Sequence, residues 1–353
     1  MAKFDLTMRE LEKGRQFAIG EAHVVHVTKG RGHLLEMEDV NFHFDSAVLL
    51  PDPKCGDDAE TSEQDRITGL SVLAACYKHA KDHTRELLFI AGHADTKGGD
   101  DYNITLSQQR ADNVFFALIG DRENWAQLSH KHNQVEDRQA ILKWIDKRFG
   151  WGTDPGAVDN KDGAKTQAAV KAFQKRYNAE FSKSIAVDGV TGLDTWRGFF
   201  DVYMMALAGI LETDEDGLIK LRGNLTFLDG GKKTIGCGEN HPIEAAGNDN
   251  FRSATNRRVE LLFFDPKDKL PKLDCHPAAG KCKKDLCEIY GKGLFDFKHI
   301  ACGGETPGFS GAFGEGEPIT PHPSEAPPQE TGDEVPQRPR GIDADAADLS
   351  GDT

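Results

Sequence analysis

The fold prediction depends chiefly on residues 121–218, which separate two strand–helix pairs from the strand that would close their sheet. Apolar spacing predicts these pairs as a strand at 39–46, a helix at 62–79, a strand at 87–91 and a helix at 106–118. The next β-branched and aromatic run is RVELLFF, at Arg258–Phe264. A strand–helix–strand–helix order predicts a right-handed crossover and parallel neighbouring strands.

The interval 121–218 carries a helical pattern of its own. Helices are predicted at Ala140–Phe149, Thr166–Tyr177 and Thr195–Leu211, joined by glycine-rich turns. Such an insertion is tolerated when its entry and exit points lie close together. We therefore expect a three-helix domain that folds alone, with a core independent of the sheet. That core is predicted to contain Val170, Phe173, Trp196 and Phe199.

Composition narrows the range of partners. The chain has 353 residues, enough for two cores, and its 58 Asp and Glu against 43 Lys and Arg give a net charge of −15. This acidic balance disfavours nucleic acid and anionic membranes. The start, MAKFDLTMRELEKGRQF, lacks the apolar core of a secretory signal, and the longest apolar stretch, Val202–Leu211, is about half a bilayer span. We therefore expect no nucleic-acid partner, no transmembrane segment and no standard export signal.

The two ends of the chain show little apolar periodicity. Residues 1–37 are assigned to an N-terminal arm, 268–303 to a cysteine-bearing extension, and 304–353 to an acidic, proline-rich tail that is expected to be disordered. The extension holds four cysteines whose spacing lacks the CxxC pairs of structural zinc sites: Cys275, Cys282, Cys287 and Cys302. Disulfides or buried thiols are therefore favoured over a metal. The weak metal candidates are Cys275, His276, Cys282 and Cys287.

The most informative stretch is Gly92–Val114, GHADTKGGDDYNITLSQQRADNV. Together with VNFHFDS before it and GCGENHPIE and NRRVELLFF after it, this stretch resembles the OmpA-like peptidoglycan-binding domain, with the four motifs in that family's order. The resemblance implies a mixed α/β (α+β) fold with β-α-β-α-β-β order. Residues 38–120 and 219–267 would form this domain, interrupted by the all-α three-helix module.

The same resemblance implies a set of binding residues. Asp95 matches the carboxylate that holds the ammonium of diaminopimelate in the wall peptide, and Arg110 matches the guanidinium that holds its carboxylate. Asn103, Leu106 and Arg257 match positions that line the same pocket. A zwitterionic head group requires one fixed anion and one bidentate cation. In the alternative interpretation Asp95 caps a turn and Arg110 is a solvated helix residue, but four collinear motifs favour binding, with both side chains at the rim of a cleft.

The helical interval resembles a second family, the three-helix peptidoglycan-binding domain often appended to wall hydrolases. The resemblance covers roughly Val135–Leu211. Its recurring positions stand here as Gly163, Thr166, Ala169, Val170, Phe173 and Gln174, and then as Val187, Asp188, Gly189, Gly192, Thr195 and Trp196. Most of these residues are expected to be structural, in caps, turns and the core.

Enzyme chemistry has weaker support in the sequence. His130 and His132 form an HxH pair like that of some zinc peptidases, but no upstream His with a distant Asp completes a ligand set. The surrounding LSHKHNQ is interpreted as an exposed polar linker. No GxSxG elbow, phosphate loop or HExxH segment is present, and nothing selects a glycosidase pair among the many carboxylates. We therefore expect no catalytic residues and no cofactor.

The sequence thus predicts a non-enzymatic protein that binds the diaminopimelate-containing peptide of bacterial peptidoglycan and anchors itself or a partner to the wall. Two alternatives stay open: a wall hydrolase with unrecognised catalytic residues, and a component or cargo of a contractile injection apparatus. The expected location is the cell envelope or periplasm, associated with the outer membrane and reached without a visible signal peptide. Cytoplasmic storage before injection is the alternative, with a secretion or envelope complex as partner.

Overall fold

The computed structural model describes residues 25–26, 32–37, 42–51, 69–229, 233–242, 245–253 and 256–267. Within these residues the chain forms five strands and seven helices. The strands are β1 Val25–His26, β2 Gly32–Met37, β3 Leu87–Gly92, β4 Thr234–Gly236 and β5 Val259–Phe264. The helices are α1 Gly69–Asp82, α2 Asp100–Ile119, α3 Arg122–Lys131, α4 Val135–Phe149, α5 Ala164–Glu180, α6 Leu193–Ile210 and α7 Glu215–Arg222. The α+β class is as predicted.

The closing strand, β5, lies inside the sheet. The strand order is β1-β2-β5-β3-β4, with β5 antiparallel to both β2 and β3, and β4 parallel to β3. β5 forms six residue pairs with β2 and six with β3. All of its side chains are buried, so a central position satisfies its backbone and covers both of its faces. The prediction that the two strands before and after α1 are parallel neighbours is therefore wrong. These strands, β2 and β3, run in the same direction, but β5 lies between them.

The predicted first strand at 39–46 is wrong for the part that the structure describes. Residues 42–46 form a turn. The apparent alternation arises because Phe42 is buried and Phe44 is exposed. Two carbonyl groups of this turn accept hydrogen bonds from the Arg110 side chain, so they do not pair with a neighbouring strand. The strand before α1 is β2, which lies in the segment assigned to an N-terminal arm.

Most other predicted elements are confirmed with shifted ends. β3 and β5 agree with the predicted strands to within one residue at either end. Helices α1, α4, α5 and α6 coincide with the predicted helices over most of their described length. α2 begins at Asp100 rather than Leu106, because Asp100 and Asp101 place acidic side chains in its first turn, where the helix dipole favours them.

Two helices are missing from the sequence prediction. Of the ten residues of α3, only Trp125, Ala126 and Ser129 are buried, so its apolar signal is weak. α7 buries only Leu218. The interval 121–218 therefore holds α3 and the start of α7 in addition to the three predicted helices, α4 to α6. In the LSHKHNQ segment, residues 128–131 form the last turn of α3, and only residues 132–134 connect α3 to α4 as the predicted linker.

The buried side chains of the helices and the sheet form one continuous core. Trp125 of α3 packs edge-on against Tyr203 of α6, with ring centroids 5.3 Å apart. The Tyr203 hydroxyl donates a hydrogen bond to the carbonyl oxygen of Leu49 at 3.0 Å. The side chains predicted for the helical core are buried, but the expectation of a core independent of the sheet is wrong. The proposed boundaries at 121 and 218 stay predictions.

Several predictions lie outside the described residues. They concern the four cysteines and His276 of the extension, and the acidic tail. Within the part that the structure describes, Cys76 is buried, and burial raises the pKa of its thiol well above the ordinary value, which makes it unreactive. None of the helices described is both long and apolar enough to cross a bilayer.

Candidate functional site

Glycines bring the ends of β3 and β4 against helix α2. A Cβ atom on Gly92, the last residue of β3, would collide with the carbonyl group of Ser107. A Cβ atom on Gly238, which has φ +57°, would lie 2.8 Å from the side chain of Ile104. The backbone N–H of Gly238 donates to the Ser107 hydroxyl at 2.9 Å. This close approach places the loop after β3 beside the face of α2 that carries the predicted binding residues.

Asp95 is buried in this loop and is already paired. Its carboxylate accepts a hydrogen bond from the Arg257 guanidinium at 2.6 Å and from the backbone N–H groups of Ser253 and Lys97, each at 3.2 Å. The Arg257 side chain keeps 14% exposure. Predicted residues Asp95 and Arg257 thus meet in a charge-assisted pair, and the contact with Lys97 also gives Asp95 the turn-capping role of the alternative interpretation.

Asn103 joins Asp95 to a second acidic group. Its side-chain amide donates to the Asp95 carbonyl at 3.1 Å and to the Glu239 carboxylate at 2.6 Å. Burial raises the pKa of Glu239; the hydrogen bond from Asn103 opposes this rise, and Asp100 and Asp249 add to it. The acidic surroundings of Glu239 favour a cationic group in any ligand that enters beside Asp95.

Arg110 is fully buried, which corrects the expectation that it lies at the rim. Its Nε donates to the Ser46 carbonyl at 2.9 Å and its Nη2 to the His43 carbonyl at 3.2 Å. The guanidinium carbon lies 5.4 Å from the centre of the Phe42 ring. Arg110 therefore holds the 42–46 turn against α2, a contact that the sequence interpretation did not include.

One face of α2 and the 42–46 turn enclose the site. Asn103, Leu106 and Arg110 are spaced i, i+3 and i+7 and so share this face, with Leu106 buried. At the rim, Phe44 and Tyr102 are 38% and 52% exposed. Asp95, Asn103, Arg110, Glu239 and Arg257 are hereafter called the Asp95 site.

A buried cluster of charged residues adjoins the Asp95 site along the chain, because Arg258 follows Arg257 and His93 stands two residues before Asp95. The Arg258 Nε donates to Glu260 at 2.6 Å, and the other carboxylate oxygen of Glu260 lies 3.3 Å from Nε2 of His93. Burial, together with the nearby Arg258, lowers the pKa of His93 to about 4 despite the opposing effect of Glu260. The sequence interpretation missed this cluster, although Arg258 and Glu260 stand two residues apart in the predicted strand Arg258–Phe264 and would therefore point to the same side.

The helical segment contains a turn built around the buried Gln139 of α4. The side-chain carbonyl of Gln139 accepts hydrogen bonds from the backbone N–H groups of Asp159 and Asn160, each at 3.0 Å. Its amide lies 2.9 Å from the Asp159 carboxylate, 3.1 Å from the Lys161 carbonyl and 3.0 Å from the Thr166 hydroxyl. One glutamine thereby satisfies backbone and side-chain groups of a whole loop.

The same arrangement recurs around Gln174 of α5. Its carbonyl accepts from the backbone N–H groups of Asp188 at 3.0 Å and Gly189 at 2.9 Å. Its amide lies 2.9 Å from the Asp188 carboxylate, 3.0 Å from the Val190 carbonyl and 3.1 Å from the Thr195 hydroxyl. The Gln174 turn therefore reproduces the Gln139 turn contact for contact.

The sequence carries this repeat as V-D-x3-G-x2-T, at residues 158–166 and 187–195. The left-handed position is occupied by Asn160 (φ +58°) in the first turn and by Gly189 (φ +81°) in the second. Glycine is required at the second, because a Cβ atom there would lie 2.9 Å from the carbonyl oxygen of Gln167. The segment is thus built from two copies of one helix–turn unit.

Both copies lie in a segment that comparison with protein families identifies. Residues 131–197 match the family described as "Putative peptidoglycan binding domain". These residues are hereafter called the matched segment, and the match indicates peptidoglycan as the binding partner. Among curated proteins and among solved structures, no match to the chain is found.

The match confirms the resemblance to a helical peptidoglycan-binding domain for this segment. Its expected structural residues take the expected places: Ala169, Val170, Phe173 and Trp196 are buried. Gln174 was not given a role by the sequence, although it is the centre of a turn. The repeated V-D-x3-G-x2-T spacing is the signal that would have revealed both turns.

The rival catalytic residues do not form a metal site with one another. His130 is exposed on α3 as predicted, whereas His132 is half-buried with its Nε2 3.1 Å from the Gln109 amide nitrogen. Among the described residues, the group with metal-ligand geometry includes neither of them.

Three residues of hydrolase type meet at the 42–46 turn. The Asp137 carboxylate accepts from the Ser46 hydroxyl at 2.8 Å and lies 2.7 Å from Nδ1 of His43. In a nucleophilic site the hydroxyl donates to the imidazole, which acts as its base. Here Ser46 donates to the carboxylate instead, so this contact joins the turn to α4 without activating a nucleophile.

Proposed function

We propose that this protein binds bacterial peptidoglycan through two regions, the matched segment and the Asp95 site, and that it does not cleave it. The observation that carries the proposal is the family match over residues 131–197. The Asp95 site is included because the four sequence motifs that resemble the OmpA-like domain meet there: three of them contribute Asp95, Glu239 and Arg257, and the fourth contributes Phe44 at the rim.

The proposed ligand of the Asp95 site is the zwitterionic head group of diaminopimelate in the stem peptide. Its ammonium would replace the Arg257 guanidinium on Asp95, and the released guanidinium would bind the ligand carboxylate. This exchange keeps every charge paired. Pairing matters because a buried charge without a partner lowers the free energy of unfolding by about 3–5 kcal/mol. The acidic Glu239 adds attraction for the ammonium.

This mechanism divides the roles of the two arginines. Arg257 is partly exposed and lies 2.6 Å from Asp95, so it is proposed to contact the ligand carboxylate directly. Arg110 is buried behind the 42–46 turn, so it is proposed to position Phe44 and to add positive charge at a greater distance. The resemblance to the OmpA-like domain, taken by itself, would instead assign the direct contact with the ligand carboxylate to Arg110.

Calorimetry with a diaminopimelate-containing peptide tests these roles. A charge-assisted hydrogen bond contributes about 1.5–3 kcal/mol, so Asp95→Ala and Arg257→Ala should each weaken binding by at least about tenfold. The matched control is Arg252→Ala, because Arg252 packs on the same Phe44 ring at 4.2 Å. Wild-type affinity in both test variants would refute the proposed site.

Pelleting with purified sacculi separates the two binding regions and tests for cleavage. If the Asp95→Ala, Arg257→Ala double variant still pellets while peptide binding is lost, the matched segment holds the wall independently. If peptide and sacculi binding are lost together, the Asp95 site is the main contact. We expect no soluble fragments from sacculi incubated with the wild-type protein, and their release would identify a hydrolase.

The proposal also includes location and partners. We propose that the protein acts in the cell envelope, where peptidoglycan is accessible, and anchors itself or an envelope complex to the wall. Fractionation of native cells tests this, with the double variant as control for retention by the wall. Recovery of the wild-type protein solely from the cytoplasmic fraction would contradict it.

A further inference from the structure

A second cluster of polar side chains lies at the other end of β3, between α1 and the start of the strand. His79 lies in the last turn of α1, His83 is the residue that follows this helix, and Glu86 immediately precedes β3. Nε2 of His79 lies 2.7 Å from one carboxylate oxygen of Glu86, and Nδ1 of His83 lies 3.5 Å from the other. One ligand-type atom from each of the three residues lies within 4.8 Å of the others.

The backbone fixes this arrangement. The His83 N–H donates to the His79 carbonyl at 2.8 Å, and the Glu86 N–H donates to the His83 carbonyl at 2.9 Å, so the chain folds back directly after α1. The His79 ring packs against the Phe263 ring of β5, with centroids 4.3 Å apart. Since His79 and Glu86 are largely buried, their side chains have little freedom to turn away.

We propose that His79, His83 and Glu86 bind a divalent transition-metal ion of the zinc class. Two imidazoles and one carboxylate form an established ligand set for such ions. In a tetrahedral site with bonds of about 2.1 Å, ligand atoms stand about 3.4 Å apart, a spacing that small rotations of these side chains reach. The His83 side chain is 45% exposed, so the fourth position faces solvent and takes water.

The stacking of the two histidine rings suits their neutral form, which is the form that metal ligation requires. The two imidazole rings are stacked, with centroids 4.3 Å apart and planes inclined by 14°. Two imidazolium rings at this distance repel each other, whereas metal ligation requires both to be neutral. A bound ion also keeps Glu86 balanced by positive charge. The site then clamps the end of α1 to the start of β3, at the opposite end of that strand from the Asp95 site.

The test is titration of the full chain, freed of metal by chelation, with Co²⁺ followed by visible absorption and then with Zn²⁺ in competition. We expect one ion bound by nitrogen and oxygen ligands, without the thiolate charge-transfer band of cysteine ligation. His83→Gln and Glu86→Gln should each weaken binding by more than about 100-fold, beyond the loss typical of an outer-shell partner. Bound Zn²⁺ should raise the unfolding temperature of the wild type but not that of the two cluster variants.

Two controls keep the result specific. His130→Gln removes an exposed histidine outside the cluster and should bind as the wild type does. A variant with serine in place of Cys275, Cys282, Cys287 and Cys302 should also bind normally. Because the His83 side chain is exposed, the metal-free His83→Gln protein should unfold at the same temperature as the metal-free wild type. Absence of binding, undiminished binding by both cluster variants, or dependence on the cysteines would overturn the proposal.

Discussion

The Asp95 site and the two glutamine turns both bury polar side chains, but they satisfy them by different means. The Asp95 site uses formal charges, because Asp95 is paired with Arg257. The buried cluster next to it does the same, with Glu260 placed between Arg258 and His93. Each turn of the matched segment uses one neutral glutamine with five hydrogen-bonding contacts.

This difference separates binding from structure. A glutamine amide has two donors and a carbonyl with two lone pairs, so Gln139 and Gln174 have no capacity left for a ligand. An ion pair can instead exchange its partner for a ligand group of the same charge. The glutamines therefore belong to the framework, whereas the Asp95–Arg257 pair is suited to exchange.

The largest expected effect is in the charged region. Arg258→Ala leaves Glu260 buried without its strongest partner and should lower the free energy of unfolding by about 3–5 kcal/mol, measured by urea denaturation. Replacing Arg258 by Met and Glu260 by Leu together should recover most of this loss, because the cluster then holds no buried charge without a partner. A single variant within about 1 kcal/mol of the wild type would show that water reaches this cluster and would weaken the comparison.

The second prediction concerns acid. An unfolded histidine has an ordinary pKa of 6.5, whereas that of His93 is lowered to about 4, so the unfolded chain takes up a proton that the folded chain does not. The contribution of neutral, buried His93 to the free energy of unfolding is therefore fully present above pH 6.5, and the free energy of unfolding falls by about 3 kcal/mol as the pH drops towards 4. Denaturation across this range should show a smaller fall for His93→Gln than for the wild type.

The carboxyl groups of the two glutamine turns should respond to acid in a lower pH range. Hydrogen bonds, from Gln139 to Asp159 and from the Val190 backbone to Asp188, lower the pKa of both carboxyl groups below their ordinary value of 3.8. Their contribution is present above that value and is lost only below it. Equal acid sensitivity of the wild type and His93→Gln between pH 6.5 and 4 would contradict the assignment to His93.

The smallest predicted effect compares the two turns. Gln174→Ala leaves the buried N–H of Gly189 without its acceptor and should cost about 2–3 kcal/mol of unfolding free energy. Gln139→Ala should cost about 1 kcal/mol less, because the equivalent Asn160 is exposed and water can replace the glutamine. Thermal or urea denaturation measures both losses. Neither variant should change peptide affinity at the Asp95 site, and a loss there would show that the glutamines act beyond their own turns.

Local patterns predicted much of the fold. The apolar runs at β3 and β5 and the helical spacing of α4, α5 and α6 were identified because each is a property of a few consecutive residues. α3 was missed because its burial is confined to a few side chains, although Asp121 marks its start by accepting a hydrogen bond from the N–H of Asn124 at 3.1 Å. Its packing partners lie on α6, far along the chain.

The sequence grouped several residues of the candidate site but did not give their arrangement. Sequence motifs brought Asp95, Asn103 and Arg257 into one group, and the structure places them in contact. Nothing in their spacing showed that Asp95 already has Arg257 as its partner, or that Arg110 binds the 42–46 turn. Glu239 was not selected, because its contact with Asn103 joins residues far apart in sequence.

The sequence alone determined the α+β class, strands β3 and β5 and most of the long helices, and its spacing carries the repeated turn of the matched segment, because these follow from spacing within short stretches. Only the tertiary structure decided that β5 lies between β2 and β3, that sheet and helices share one core, and that His79, His83 and Glu86 converge. Each of these depends on the pairing, packing or backbone geometry of separate segments. Such contacts are selected by burial and hydrogen bonding of the whole chain, which no local pattern encodes.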